Sequence, residues 1–197
     1  MPLPPKRKTA RQIREGVRHY VAPETQAYLT EVGTCLHESC HAAAAIASGL
    51  PFNYVEIGGR ALSEFGISED GVSSGRISIG QSDDIEGHVF TSYAAIAGVD
   101  RFHFAPGGVA IDLGDIEQLV LDNPDAENIK ARAKLRAAEF VKEHHGDIIR
   151  VAHALQVRRR LDKEDVKGIF EGVAPDPNMR RFMGALALLP RAKWVKI

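Results

Sequence analysis

The chain has 197 residues, 44% of them hydrophobic and 26% charged, with a formal net charge of −1. That length suits one globular domain able to bury its own core, and the composition excludes a disordered or collagen-like chain. The near-zero charge leaves no global field to recruit nucleic acid or anionic lipid.

Residues 1–22 form a basic arm, with Lys6, Arg7, Lys8, Arg11, Arg14 and Arg18 against the single acid Glu15. They read as a solvated arm rather than a stacking platform, since only Tyr20 interleaves the charges. The sequence lacks the apolar core of a secretory signal near its start and has no run of 18 apolar residues, so no membrane partner is expected. The two cysteines, Cys35 and Cys40, point apart on a helix and fit a reducing, cytoplasmic setting.

Pro23-Glu24-Thr25 predicts a helix start, with the helix running to Ser48 before Gly49-Leu50-Pro51 stops it. Tyr54–Ile57 alternates at period two and predicts a strand, as does Arg76–Gly80, and the two can pair. Residues 60–75, rich in Gly and Ser, are expected to form a loop or irregular hairpin arm. Ser82 with Asp83, Asp84 and Glu86 opens a second helix through about Gly98. A loop over 99–109 leads to a third helix from near Asp112 to Asn123-Pro124. A long helix follows from Asp125 until Gly146 breaks it, then another segment over Ile148–Leu155. Asp162 with Asp165 caps a short helix ending near Phe170. Pro175, Pro177 and Pro190 predict an irregular tail over 172–197. The fold class is α+β, mostly helical, with a small β-sheet and a C-terminal helical bundle.

The chemistry is concentrated in His37-Glu38-Ser39-Cys40-His41. Residues four apart lie on one helix face, so His37 and His41 can present nitrogens to one Zn²⁺ ion. Glu38, about 100° around the helix, can reach water at the metal and act as its base. The pattern sits mid-helix and is followed by Ala42-Ala43-Ala44-Ala45, which lets another segment approach. A pair of structural histidines is the competing reading. A catalytic zinc needs a third protein ligand, and His88, Asp100, His103, Asp112, Asp115 and Glu117 are the candidates. Asp112 and Asp115 stand out, although acids at a helix start also serve as caps.

The segment Leu36-His37-Glu38-Ser39-Cys40-His41-Ala42 resembles the His-Glu-Ala-Gly-His-Ala motif of FtsH-type zinc metalloprotease domains. Tyr93–Gly98 is similar to a family helix ending in a glycine turn, and Gly114-Asp115-Ile116 is similar to the segment that carries the third zinc ligand. The stretch 125–170 resembles the family's C-terminal bundle. The resemblance implies that His37, His41 and Asp115 bind zinc, with Asp112 as the alternative to Asp115, and that Glu38 is the catalytic base. It implies a peptidase domain over 23–171. Ser39 and Cys40 replace the family's alanine and glycine, and no Gly-x-x-x-x-Gly-Lys-Ser/Thr is present, so a peptidase domain without the family's ATPase and membrane anchor is expected. The expected activity is that of a stand-alone, ATP-independent zinc metallopeptidase acting on peptides or flexible and unfolded protein segments. The competing expectation is a non-proteolytic binding or regulatory protein that keeps the fold, with or without structural zinc. Nucleic acid is not favoured as a partner, and a homo-oligomer is allowed.

Overall fold

The computed structural model describes residues 23–58, 75–104, 108–170, 172 and 179–189. Among these residues the chain is a mostly helical α+β fold of seven helices and one three-stranded antiparallel sheet. The basic arm and most of the Gly/Ser-rich stretch over 60–75 lie outside the described residues.

Helix α1, Pro23–Ser48, is the axis of the fold. Every residue from Cys35 to Ala45 is buried, so this helix is enclosed on all sides rather than laid on a surface. That position explains its small residues: Ala42, Ala43, Ala44 and Ala45 have no exposed surface and let neighbours pack close to the backbone.

Strands β1 (Phe52–Ile57) and β2 (Gly75–Ile79) pair antiparallel, Val55 opposite Ile77 and Ile57 opposite Gly75. A third strand, β3 (Arg160–Asp162), pairs with the other side of β1, giving the order β2-β1-β3. Three residues are too few to display an alternating pattern, and β3 is absent from the sequence-based expectation for that reason. Val55, Ile57 and Leu161 are buried and cover α1, while Tyr54, Glu56, Arg76 and Arg160 occupy the opposite face.

Helix α2 (Ile85–Phe102) begins at Asp84, whose carboxylate accepts from the Gly87 amide at 2.9 Å. It does not end at Gly98, as the sequence suggested, but four residues later at Phe102, where the capping residue His103 adopts the left-handed conformation (φ 58°). Gly98 serves packing instead: a Cβ there would lie 2.6 Å from Cys40 Sγ. The Cys40 thiol on α1 thus takes the space left by a glycine on α2.

Helices α3 (Val109–Val120), α4 (Ala126–Glu143) and α5 (His145–Arg158) complete the helical layer. The break between α4 and α5 falls at His144, and Gly146 lies in the first turn of α5. Asp162 and Asp165 exchange side chain-to-amide hydrogen bonds at 2.9 and 3.3 Å across the start of α6 (Lys163–Phe170), a reciprocal cap.

The C-terminal region corrects the expectation of an irregular tail. Helix α7 spans Met179–Leu188 and buries Phe182 and Ala185, with the Phe182 ring edge-on to His153 at 5.4 Å. The prolines at 175, 177 and 190 bracket this helix without interrupting it. Its core-packed apolar residues recur as Phe182, Ala185 and Leu186, with Leu189 just past its end continuing the spacing of one helix face.

The α1–α2 packing yields a test. Gly98→Ala is expected to destabilise the protein by about 1–3 kcal/mol through overpacking. Adding Cys40→Ala should recover most of that loss, so urea denaturation of the double variant should give a smaller cost than the two single costs summed.

Candidate metal centre

His37 and His41 lie one turn apart on α1, their rings edge-to-face with centroids 4.9 Å apart. The third member of the cluster is Asp112 on α3. Its Oδ1 lies 3.1 Å from His41 Nε2 and its Oδ2 lies 3.4 Å from His37 Nε2. One ligand atom from each of His37, His41 and Asp112 falls within 4.8 Å of the others, and all three residues are buried. These three side chains could hold a metal ion.

This differs from the assignment that the resemblance implied. Asp115 is exposed and stands outside the cluster, although it borders the same cleft. The reason lies in the face that α3 buries. Val109, Asp112, Ile116 and Val120 form its buried stripe, and Asp115 projects about 100° away from the stripe's centre. Asp112 is therefore a carboxylate set in an apolar stripe, a signal that the sequence contains. It is not the cap, since Gly108 occupies the N-cap position of α3. Among the other candidates, His88 borders the cleft, Asp100 and His103 are exposed, and Glu117 pairs with Lys130 at 3.1 Å.

The local contacts suit a cation. His41 Nδ1 lies 3.1 Å from the Thr91 carbonyl, which can only accept, so Nδ1 carries the hydrogen and Nε2 is left as the ligand atom. Asp112 Oδ2 and His37 Nδ1 are buried without a hydrogen-bond partner among the described residues. A buried carboxylate oxygen lacking a donor is costly, and a cation among the three groups removes that cost.

Burial also reshapes the titration of the cluster. Desolvation, helped by nearby His41 and opposed by Asp112, pushes His37 down to about 4, which keeps its imidazole neutral as a ligand must be. Burial works against a charged His41, yet its hydrogen bond to Asp112 and the charges of Asp112 and Glu38 hold its pKa above the ordinary value. Glu38 is raised to about 7, first by burial and then by the Asp112 charge, with His41 opposing. Burial raises the thiols of Cys35 and Cys40, and both are free, so neither competes as a thiolate ligand.

Two glycines let backbone close over these side chains. At Gly108, which precedes α3, a Cβ would lie 2.4 Å from His37 Nε2. At Gly75, the first residue of β2, a Cβ would lie 2.3 Å from Glu38 Cγ. The sheet edge thus crosses directly over Glu38, and the α3 N-terminus crosses over His37. Sequence reasoning did not single out either glycine, because only the fold brings them to the site.

The cluster opens into a cleft of about 780 Å³. Its floor is α1, β2 forms one wall through Ile77 and Ile79, and α3 forms another through Ile111 and Leu119. No protein-family model matches this chain, and no curated protein matches it.

The ligand assignment can be tested by metal titration. Asp112→Ala is expected to lose stoichiometric metal, whereas Asp115→Ala retains it. Gly108→Ala should weaken binding as well, because the added methyl displaces His37.

Proposed function

We propose that this chain is a zinc-dependent metallopeptidase of the FtsH type, hydrolysing peptide bonds in flexible or unfolded protein segments without ATP. The observation that carries the reading is the convergence of His37, His41 and Asp112 at the floor of an open cleft, with Glu38 on the adjacent helix position. Two imidazoles and one carboxylate with a side left open form the ligand set of a catalytic zinc rather than a closed structural one. Zinc held there supplies a Lewis acid that polarises a peptide carbonyl and acidifies water.

Glu38 supplies the base. It borders the cleft, and Gly75 packs against its side chain and limits where the carboxylate can point. In this role it takes a proton from the attacking water and returns it to the leaving amine. Thr91 holds His41 in the ligating tautomer through its carbonyl. Among the described residues, β2 pairs only with β1, so its outer edge offers main-chain groups to an extended substrate beside Glu38. The 197 residues contain no nucleotide-binding loop, which limits such a chain, by itself, to segments already unfolded. A cytoplasmic setting fits the reading: both cysteines are free and buried, and no helix among the described residues is long and apolar enough to cross a membrane.

The test joins metal content with cleavage. Purified protein should carry one zinc by mass spectrometry and cut an unfolded, casein-like substrate. Glu38→Gln should keep the zinc and lose about 10²–10⁴-fold in rate. A folded protein without zinc, or a Glu38→Gln variant as active as wild type, would overturn the proposal. Stoichiometric zinc with no cleavage by wild type would favour a binding or regulatory protein instead.

A further inference from the structure

Among the described residues, the outer edge of β2 carries a cation that shares its only carboxylate partner with a second arginine. Gly75, Arg76, Ile77 and Ile79 all border the cleft, and the strand register sets Arg76 opposite Glu56, on the alternate side-chain positions from Ile77 and Ile79. Arg76 donates to the Tyr54 hydroxyl and, at 2.9 Å, to Glu56 Oε1. Arg160 on β3 donates to Glu56 Oε2 at 3.0 Å and stacks 3.7 Å from the Tyr54 ring centre. Two guanidinium groups therefore share one carboxylate. The other acid of this face, Asp162, lies on β3 at the far side of the sheet, where it caps α6 with Asp165. Among the described residues, Arg76 therefore has only a shared carboxylate beside it, and Tyr54 and Glu56 hold its guanidinium at the edge strand. The Arg76 side chain is 42% exposed and open to a partner.

We infer that this edge selects extended segments in which an acidic residue alternates with apolar ones. A strand added along β2 places every second side chain on the outer face, where an acid meets Arg76. Its neighbours face the cleft, between Ile77 and Ile79 on one wall and Ile111 and Leu119 on the other. Ile111 is 69% exposed at that rim, an apolar surface that a substrate side chain would cover. The inference rests on the peptidase reading for its substrate but not for its binding chemistry.

The test uses three peptides alternating Leu with X, where X is Glu, Gln or Lys. Binding is followed by fluorescence anisotropy on zinc-loaded Glu38→Gln protein, and cleavage on zinc-loaded protein with Glu38 intact. With Arg76 present, the Glu peptide should be bound and cut about fivefold better than the Lys peptide. Arg76→Gln should level that ratio and Arg76→Glu should invert it. Raising the salt should narrow it in the unmutated protein, which checks the charge without any substitution. Cleavage with one Glu-to-Lys ratio across all Arg76 variants would overturn the inference and leave the peptidase reading standing. Charge-selective binding without cleavage would overturn the peptidase reading and leave the inference standing. No binding of any peptide would overturn the inference.

Discussion

Burial of two histidines and two carboxyl groups in the middle of α1 and at the start of α3 is the constraint on which the rest of the structure depends. Such groups are stable in an interior only when each has a partner or when a cation binds them together. Thr91 satisfies the outer nitrogen of His41, but Asp112 Oδ2 has no hydrogen-bond partner among the described residues. The fold tolerates this arrangement because α1 is walled in by apolar neighbours on every other side. The cluster is polar chemistry held in a rigid hydrophobic frame, which is what a preorganised metal site needs.

The same constraint explains the small residues nearby. Helix α3 and strand β2 must both come within van der Waals reach of α1 where ligands and base project. A side chain at Gly108 would overlap His37, and one at Gly75 would overlap Glu38. Farther along α1, Gly98 on α2 receives Cys40 in the same manner. Close approach by backbone is a shared device across the site, whether the element arriving is a strand, a helix terminus or a helix body.

Much of the architecture was legible in the sequence because its signals are local. Helix α1 is found over the expected Pro23–Ser48, fixed by its proline start and Gly49-Leu50-Pro51 stop, and the cap of α2, Asp84, is one of the acids of the predicted cluster. Features that depend on distant partners were less legible. Strand β3 is defined only by pairing with β1, and α7 was hidden by prolines that flank it. At the candidate metal centre the two histidines follow from helical spacing alone. The choice between Asp112 and Asp115 turned on which face of α3 is buried. The apolar stripe Val109, Ile116 and Val120 contains that answer, and an alignment built on resemblance shifted it by one turn.

The central claim is that two imidazoles and one carboxylate, without sulfur, hold a metal at an open position. Zinc K-edge X-ray absorption of the loaded protein tests it most directly. The account predicts a shell of nitrogen and oxygen donors at roughly 2.0–2.2 Å, with imidazole scattering from two histidines and no sulfur. A zinc–sulfur shell near 2.3 Å, or failure of the folded protein to take up zinc at all, would contradict it.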